Sequence, residues 1–337
     1  MNRMGTFVRI TAANALLILI AATLISGCGS NDSKTPGNEG AQTAPPATAP
    51  SVTAPPATGT PGASTGYVIL PIPVATAPGL LVEENDRATI DFSNYQYGYV
   101  MARFNAATGM QVRVLISHPD ETEYTYRLVP EGGFGVLPLS GGNGQYLIRV
   151  LEQVEGMTYA AVLAVTVDVT LNDEFEPFLR PSQFVDFNSD NEVVRKAAEL
   201  TAGANGLMEV ISAIYGFVIM NIEYDVELAA TVQSGYIPDL DRVLERRMGI
   251  CFDYAAVMTA MLRSRGIPTK MVFGYVNEAY HAWISVFSKE TGWIDEIIFF
   301  DGVTWRLMDP TFAASGDVAG AEEFIGDGSS YRVKFMY

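Results

Sequence analysis

The alternation of apolar and polar positions divides the chain into stretches of different character. Ile10 to Ile25 is a largely apolar run behind Arg3 and Arg9, too short for a comfortable membrane span. From Gly29 to about Thr65 periodicity disappears into Gly, Ser, Thr, Ala, Pro and Asn, with repeated Ala-Pro and Pro-Pro steps. Such composition predicts an extended tether, not a packed unit. From Tyr67 to about Leu171 short β-prone runs recur, including Ala88 to Asp91, Val112 to Ile116, Tyr124 to Leu128, Gln145 to Leu151 and Tyr159 to Leu171. Gly132-Gly133 and Gly141-Gly142 punctuate them. Short strands at this spacing predict an antiparallel sandwich.

Beyond Pro181 the period lengthens to that of helices. Ser189-Asp190-Asn191-Glu192 fits a capping box opening a helix to about Thr201. Leu207 to Asn221 predicts a second helix, with Met208, Ile211, Ile214, Tyr215 and Val218 as its packing face. A third begins at or just after Cys251 and runs to Arg265, stopped by Gly266 and Pro268. Tyr254, Val257, Met258, Met261 and Leu262 form its apolar stripe. Lys270 to Tyr275, His281 to Phe287 and Trp305 to Asp309 then read as strands, with an insert from Lys289 to Gly302 that leaves open whether a lid forms there. The expected division is 1–28 export signal, 29–65 tether, 66–175 β-sandwich and 176–337 an α+β domain.

Charge narrows the partners. The 337 residues carry 38 acidic and 21 basic side chains, a formal net charge of −17, and so acidic a surface repels phosphate backbones, which argues against nucleic acid. Hydrophobic residues at 48% exclude wholesale disorder. The N-terminal pattern of basic residues and apolar run reads as an export signal. It ends in Ile25-Ser26-Gly27-Cys28, which resembles a bacterial lipobox and predicts lipidation of Cys28, a membrane anchor and an extracytoplasmic location. An uncleaved N-terminal anchor is the alternative, and it leaves the rest of the chain on the same side of the membrane.

Cysteine counting sharpens the picture, because Cys28 and Cys251 are the only two. With Cys28 lipidated, Cys251 is a lone thiol in an exported protein, either buried or chemically used. At a helix N-terminus, free amides and the positive dipole end favour a thiolate, and Gly249 lets backbone or substrate approach closely. The two histidines are His118, beside Pro119 at a strand end and read as a surface or turn residue, and His281. His281 shares a strand face with Trp283, whose indole is placed to shield the imidazole. Asp309, before Pro310, is the candidate to orient that imidazole. The sequence shows no metal site, phosphate loop or nucleotide motif and implies no cofactor.

At these residues the chain resembles the transglutaminase-like branch of the papain-like cysteine enzymes. Gly249-Ile-Cys-Phe-Asp-Tyr-Ala resembles the nucleophile motif, Tyr280-His-Ala-Trp the histidine strand, and Trp305-Arg-Leu-Met-Asp-Pro-Thr-Phe the aspartate strand. Leu262-Arg-Ser-Arg-Gly-Ile-Pro and Gly274-Tyr are similar as well, so the likeness covers about Asn221 to Phe312. It implies acyl transfer. Cys251 attacks an amide carbonyl, His281 protonates the leaving amine, Asp309 fixes the imidazole, and water or an amine resolves the thioester.

The Cys251 amide, and Tyr224 if it is more than a packing tyrosine, would hold the oxyanion. Asp253 is read as complementing the helix dipole instead of reacting. The substrate expected is protein or cell-wall peptide at the envelope, cut by hydrolysis. Crosslinking to an amine by the same residues, and a noncatalytic module in which the sandwich is the working part, are the alternatives.

Overall fold

The computed structural model describes residues 7–9, 71–276, 278–294, 298–300, 305–307 and 331–337. Cys28, the 29–65 tether and Asp309 lie outside the described residues. Among the described residues, no helix is long and apolar enough to cross a membrane.

The first strands are β1 (Phe7–Arg9), β2 (Val82–Glu84), β3 (Ala88–Asp91), β4 (Tyr99–Phe104), β5 (Val112–Ser117) and β6 (Glu123–Leu128), followed by β7 (Gly135–Pro138), β8 (Gly144–Glu155) and β9 (Thr158–Val169). They make two antiparallel sheets, in the orders β1-β9-β8-β5-β6 and β2-β3-β4-β7. Alternation decides what each strand buries. β6 turns Tyr124, Tyr126 and Leu128 into the core and leaves Glu123 and Arg127 exposed. Ile90, Val100 and Phe104 of one sheet share a buried cluster with Val114, Ile116 and Ile148 of the other, so the sheets face each other. Each such side chain contributes roughly 1.5–3 kcal/mol by leaving water.

The helical part comprises α1 (Glu192–Leu200), α2 (Leu207–Asn221), β10 (Glu223–Tyr224), α3 (Val226–Thr231), α4 (Leu240–Arg246), β11 (Met248–Gly249) and α5 (Cys251–Arg263). Then come β12 (Thr269–Val276), β13 (Ala279–Ser288), β14 (Gly292–Ile294), β15 (Ile298–Phe300), β16 (Trp305–Leu307) and β17 (Tyr331–Met336). The mixed helix and sheet class is as expected, with an antiparallel sheet ordered β14-β13-β12-β17. The described parts of the 289–302 insert run as strands, β14 on β13 and β15 on β16.

Two expectations need correction and one is exceeded. α1 is not opened by a capping box at Ser189. Its N-cap is Asn191, and the cap comes from α4, where Asp241 accepts the Val193 N–H at 2.9 Å and the Asn191 Nδ2–H at 2.9 Å. Burial opposes the Asp241 charge, but those bonds and the Glu192 amide outweigh it and hold the carboxyl below its usual range.

α5 is buried beyond its expected apolar stripe. All thirteen of its residues are buried, because α1, α2 and α4 pack around it together with β12 and β13. His118 does sit in a turn but is 4% exposed, stacked on Tyr124 with ring centroids 3.9 Å apart. Burial pushes its imidazole down to about 4, so it stays neutral.

The sandwich and the helical part share one core. Met336 donates its N–H to the Tyr124 hydroxyl at 3.0 Å, and Ser140 Oγ donates to the Met336 carbonyl at 2.7 Å. Tyr337 sits edge-on to both Tyr124 and Tyr126. β17 therefore belongs to one sheet by its pairing and meets the sandwich through main-chain groups of Met336.

Candidate active site

The turn into α5 is built by a short parallel pair. Glu223 and Tyr224 of β10 lie beside Met248 and Gly249 of β11, and the Asp225 N–H donates to the Gly249 carbonyl at 2.9 Å. This holds the chain extended until Ile250 and starts the helix at Cys251. Cys251 thus carries one of the first helical amides, which have no intrahelical acceptor, and it is the free cysteine of the described residues, 9% exposed.

Asp253 completes the helix start. Its Oδ2 accepts the Ile250 N–H at 2.8 Å, and its Oδ1 accepts the Tyr236 hydroxyl at 2.8 Å. Burial raises the carboxyl to about 6 against those two hydrogen bonds. The sequence reads Asp253 as complementing the helix dipole; in the structure it caps the helix start by hydrogen bonding, while burial opposes its charge. Gly249 has a different reason from the one expected. A Cβ on it would stand 2.7 Å from the Asp253 Cβ, so the close approach it permits is that of the capping side chain.

His281 is the third residue of β13 and is buried, with Trp283 on the same strand face. Their ring centroids are 6.4 Å apart and the planes within 22°. Gly274 lies opposite His281 in the register, and a Cβ there would meet the Arg332 carbonyl oxygen at 2.0 Å and the Trp283 ring at 2.7 Å. The glycine makes room for the indole.

The opposite parity of β13 holds Tyr280, Ala282 and Ile284, and these pack with the α5 cluster, whereas Trp283 packs with Val272 and Val276. Tyr280 therefore shares the sheet face that meets α5. Burial raises its phenol well above the ordinary value, with Tyr275 and the Cys251 sulfur adding to the effect. The sequence placed Tyr280 in the histidine-strand motif but gave it no role.

Sequence reasoning missed Tyr236, whose loop carries no motif, and the role of Arg263. Arg263 is 1% exposed and donates to three main-chain oxygens, those of Thr269 (2.9 Å), Arg180 (2.7 Å) and Tyr337 (2.7 Å). Burial lowers its guanidinium to about 9. Tyr224, half-buried, is brought beside Gly249 by the strand pair. Among the described residues no group of three His, Cys, Asp or Glu side chains is placed to hold a metal.

Residues 194–295 match the family model described as the transglutaminase-like superfamily. The chain carries a transglutaminase-like domain. It includes Cys251, His281 and all of α5. A Bacillus subtilis relative, the uncharacterized protein YebA, is 26% identical over 118 residues, which is 29% of this chain and 16% of the relative. A Pseudomonas aeruginosa protein-glutamine gamma-glutamyltransferase is 28% identical over 110 residues, 26% of this chain and 15% of that protein. The matched stretch thus spans about a sixth of these relatives' length. Among solved structures, a Cytophaga hutchinsonii chain described as a "putative cysteine protease" aligns at 16% identity and TM-score 0.35, covering 69% of this chain and 73% of the other. Red sea bream transglutaminase aligns at 12% identity and TM-score 0.29, covering 64% and 53%.

Proposed function

We propose that the transglutaminase-like domain is a thiol enzyme acting on amide bonds of protein or cell-wall peptide outside the cytoplasmic membrane, anchored through a lipidated Cys28 after removal of the preceding segment, the β1 edge strand included, and held clear of the surface by the 29–65 tether. The observation that carries this reading is the position of Cys251, a free thiol that begins a wholly buried helix inside the family-matching segment. Unpaired amides and the positive end of the helix stabilise the anion there.

The Cys251 thiolate adds to the amide carbonyl, and the oxyanion takes hydrogen bonds from the Cys251 amide and from Tyr224 beside Gly249. The C–N bond then breaks, the leaving amine takes a proton from His281, and a thioester remains. Water, deprotonated by His281, opens the thioester to a carboxylic acid and restores the thiolate. Asp309 accepts the other imidazole N–H, and Trp283 keeps bulk water off the ring. The body of β13 turns Tyr280 toward α5, so this mechanism requires His281 to reach the sulfur around the end of the strand, not through the sheet.

The test is alkylation by iodoacetamide across pH, followed at the Cys251 peptide by mass spectrometry. Labelling at neutral pH should be faster in the wild type than in His281→Ala. A rate unchanged by that substitution would remove the catalytic reading. Transfer to an amine is the second reading, favoured by the name of the Pseudomonas aeruginosa relative. Incorporation of a labelled primary amine into a glutamine-bearing protein supports transfer, and amide cleavage without incorporation supports hydrolysis.

A further inference from the structure

A cavity of about 350 Å³ opens between the β6 edge of the sandwich and the start of α5. Its floor is aromatic and comes from the helical part, including Phe184, Phe252, Phe273, Tyr280, Phe335 and Tyr337. Phe252 follows Cys251 in the chain and Tyr280 precedes His281, so the cavity begins one residue from each.

Its sandwich wall is made of polar side chains from β5 and β6, including Arg113, Arg127 and Glu123, and Lys334 of β17 adds another cation. Glu123 is neutralised by Arg149 at 2.5 Å. Arg113 lies over the Tyr159 ring and donates to Gln111, Arg127 donates to the Gly235 carbonyl at 3.1 Å, and Lys334 lies over the Phe335 ring. Among the described residues, none of these three cations has a carboxylate within 4 Å. Among the described residues, three cations without a carboxylate partner line one cavity of a chain whose net charge is −17. A field of that sign inside an acidic surface selects for anions that enter the cavity and repels them elsewhere.

The wall is also fixed to the helix start. Arg127 holds Gly235, a residue at φ +87° on which a Cβ would come within 2.9 Å of the guanidinium. The next residue, Tyr236, donates to Asp253. Gln183 pairs with both main-chain groups of Arg127, accepting its N–H at 2.9 Å and donating to its carbonyl at 2.6 Å. The edge strand is thus tied, through the Gly235-Tyr236 step, to the side chain that caps α5.

We propose that this cavity is a substrate subsite for an acidic peptide segment, in which an apolar side chain lies on the aromatic floor and neighbouring carboxylates pair with Arg113, Arg127 and Lys334. The sandwich then reads the substrate. This rests on the thiol-enzyme reading for its purpose, though not for its physics.

The experiment uses the full-length Cys251→Ala chain, which binds without turnover, and three dye-labelled peptides of one sequence. Each has a central phenylalanine, flanked by two glutamates, two glutamines or two lysines. Fluorescence anisotropy should show the glutamate peptide binding on the order of tenfold tighter than the glutamine peptide, with the gap closing as salt rises. Adding Arg113→Gln, Arg127→Gln and Lys334→Gln together should abolish the preference, and circular dichroism and thermal unfolding would verify that this variant is folded. Adding only Arg195→Gln, at a cation outside the cavity, should leave the preference intact.

Equal affinity for the three peptides, or a glutamate preference that survives the triple substitution in a folded chain, overturns the proposal. Iodoacetamide labelling of the wild-type and His281→Ala chains runs in parallel. A His281-dependent rate with no charge preference removes the subsite and leaves the chemistry standing, whereas a His281-independent rate with a clear preference removes the chemistry and leaves an acidic-peptide binding site.

Discussion

Gly249 has no room for a methyl group, because the Asp253 side chain folds back to within 2.7 Å of where a Cβ would stand. Gly249→Ala must therefore push that carboxylate off the Ile250 amide or tilt the first turn of α5. Overpacking of this kind costs about 1–3 kcal/mol. Urea unfolding should show the loss, and the alkylation rate of Cys251 should change with it, since the first amides move too. An unchanged midpoint together with an unchanged rate would mean that the turn relaxes freely. Of the residues that position the thiol, Gly249 and Asp253 stand out in the sequence because they flank Cys251. Tyr236 does not, because nothing local links it to a residue seventeen positions away.

At the scale of elements, α5 is held at both ends by groups from elsewhere. Arg263 supplies its far end, bonding three carbonyl oxygens from β12, from the segment before α1 and from the end of β17. Arg263→Met removes a buried charge but leaves those oxygens without donors, and the expected net loss is about 2–4 kcal/mol. Arg263→Lys should recover part of it, since an ammonium has three donors but not the planar fork. Chemical denaturation of both variants tests the order.

The near end depends on Arg247, the C-cap of α4, at φ 54° and ψ 36°. A non-glycine residue there costs about 1 kcal/mol or slightly more. Arg247→Gly should accordingly raise stability by up to that amount, and a fall in the unfolding midpoint would show that the Arg247 side chain contributes more than the strain costs. Helix lengths were legible where propensity and period agreed, as in α2, which spans the expected Leu207–Asn221. The cap of α1 was not, because Asp241 reaches it from α4.

For the whole molecule, two buried groups give opposite responses to pH. His118, lowered from 6.5 to about 4 in the folded chain, contributes stability that is present above the unfolded value and is lost as pH falls toward 4. Asp253, raised from 3.8 to about 6, contributes stability that is present below pH 3.8 and is lost as pH rises to 6. Each shift corresponds to roughly 3 kcal/mol, so across pH 4 to 6 the two contributions nearly cancel. Asp253→Asn should expose the His118 effect, with stability falling on acidification through that window. His118→Phe should expose the reverse, with stability falling as pH rises. Denaturant midpoints at several pH values check the signs, and parallel profiles for the two variants would contradict both assignments.

Sequence alone determined the local layer of this protein. Alternation marked the sandwich strands, spacing and glycine stops marked α2 and α5, and the motifs around Cys251 and His281 pointed to the family. These are properties of residues that are near one another in the chain. Tertiary structure alone decided that His118 is buried, that α5 has no solvent face, that Tyr280 shares the α5 side of its sheet, and that a cationic sandwich edge borders the start of that helix. Each of these depends on segments far apart meeting, as Arg127 meets Gly235 across 108 positions and Tyr124 meets Met336 across 212. Such contacts are selected by the packing of complete elements, and no short window of sequence contains the energy that decides them.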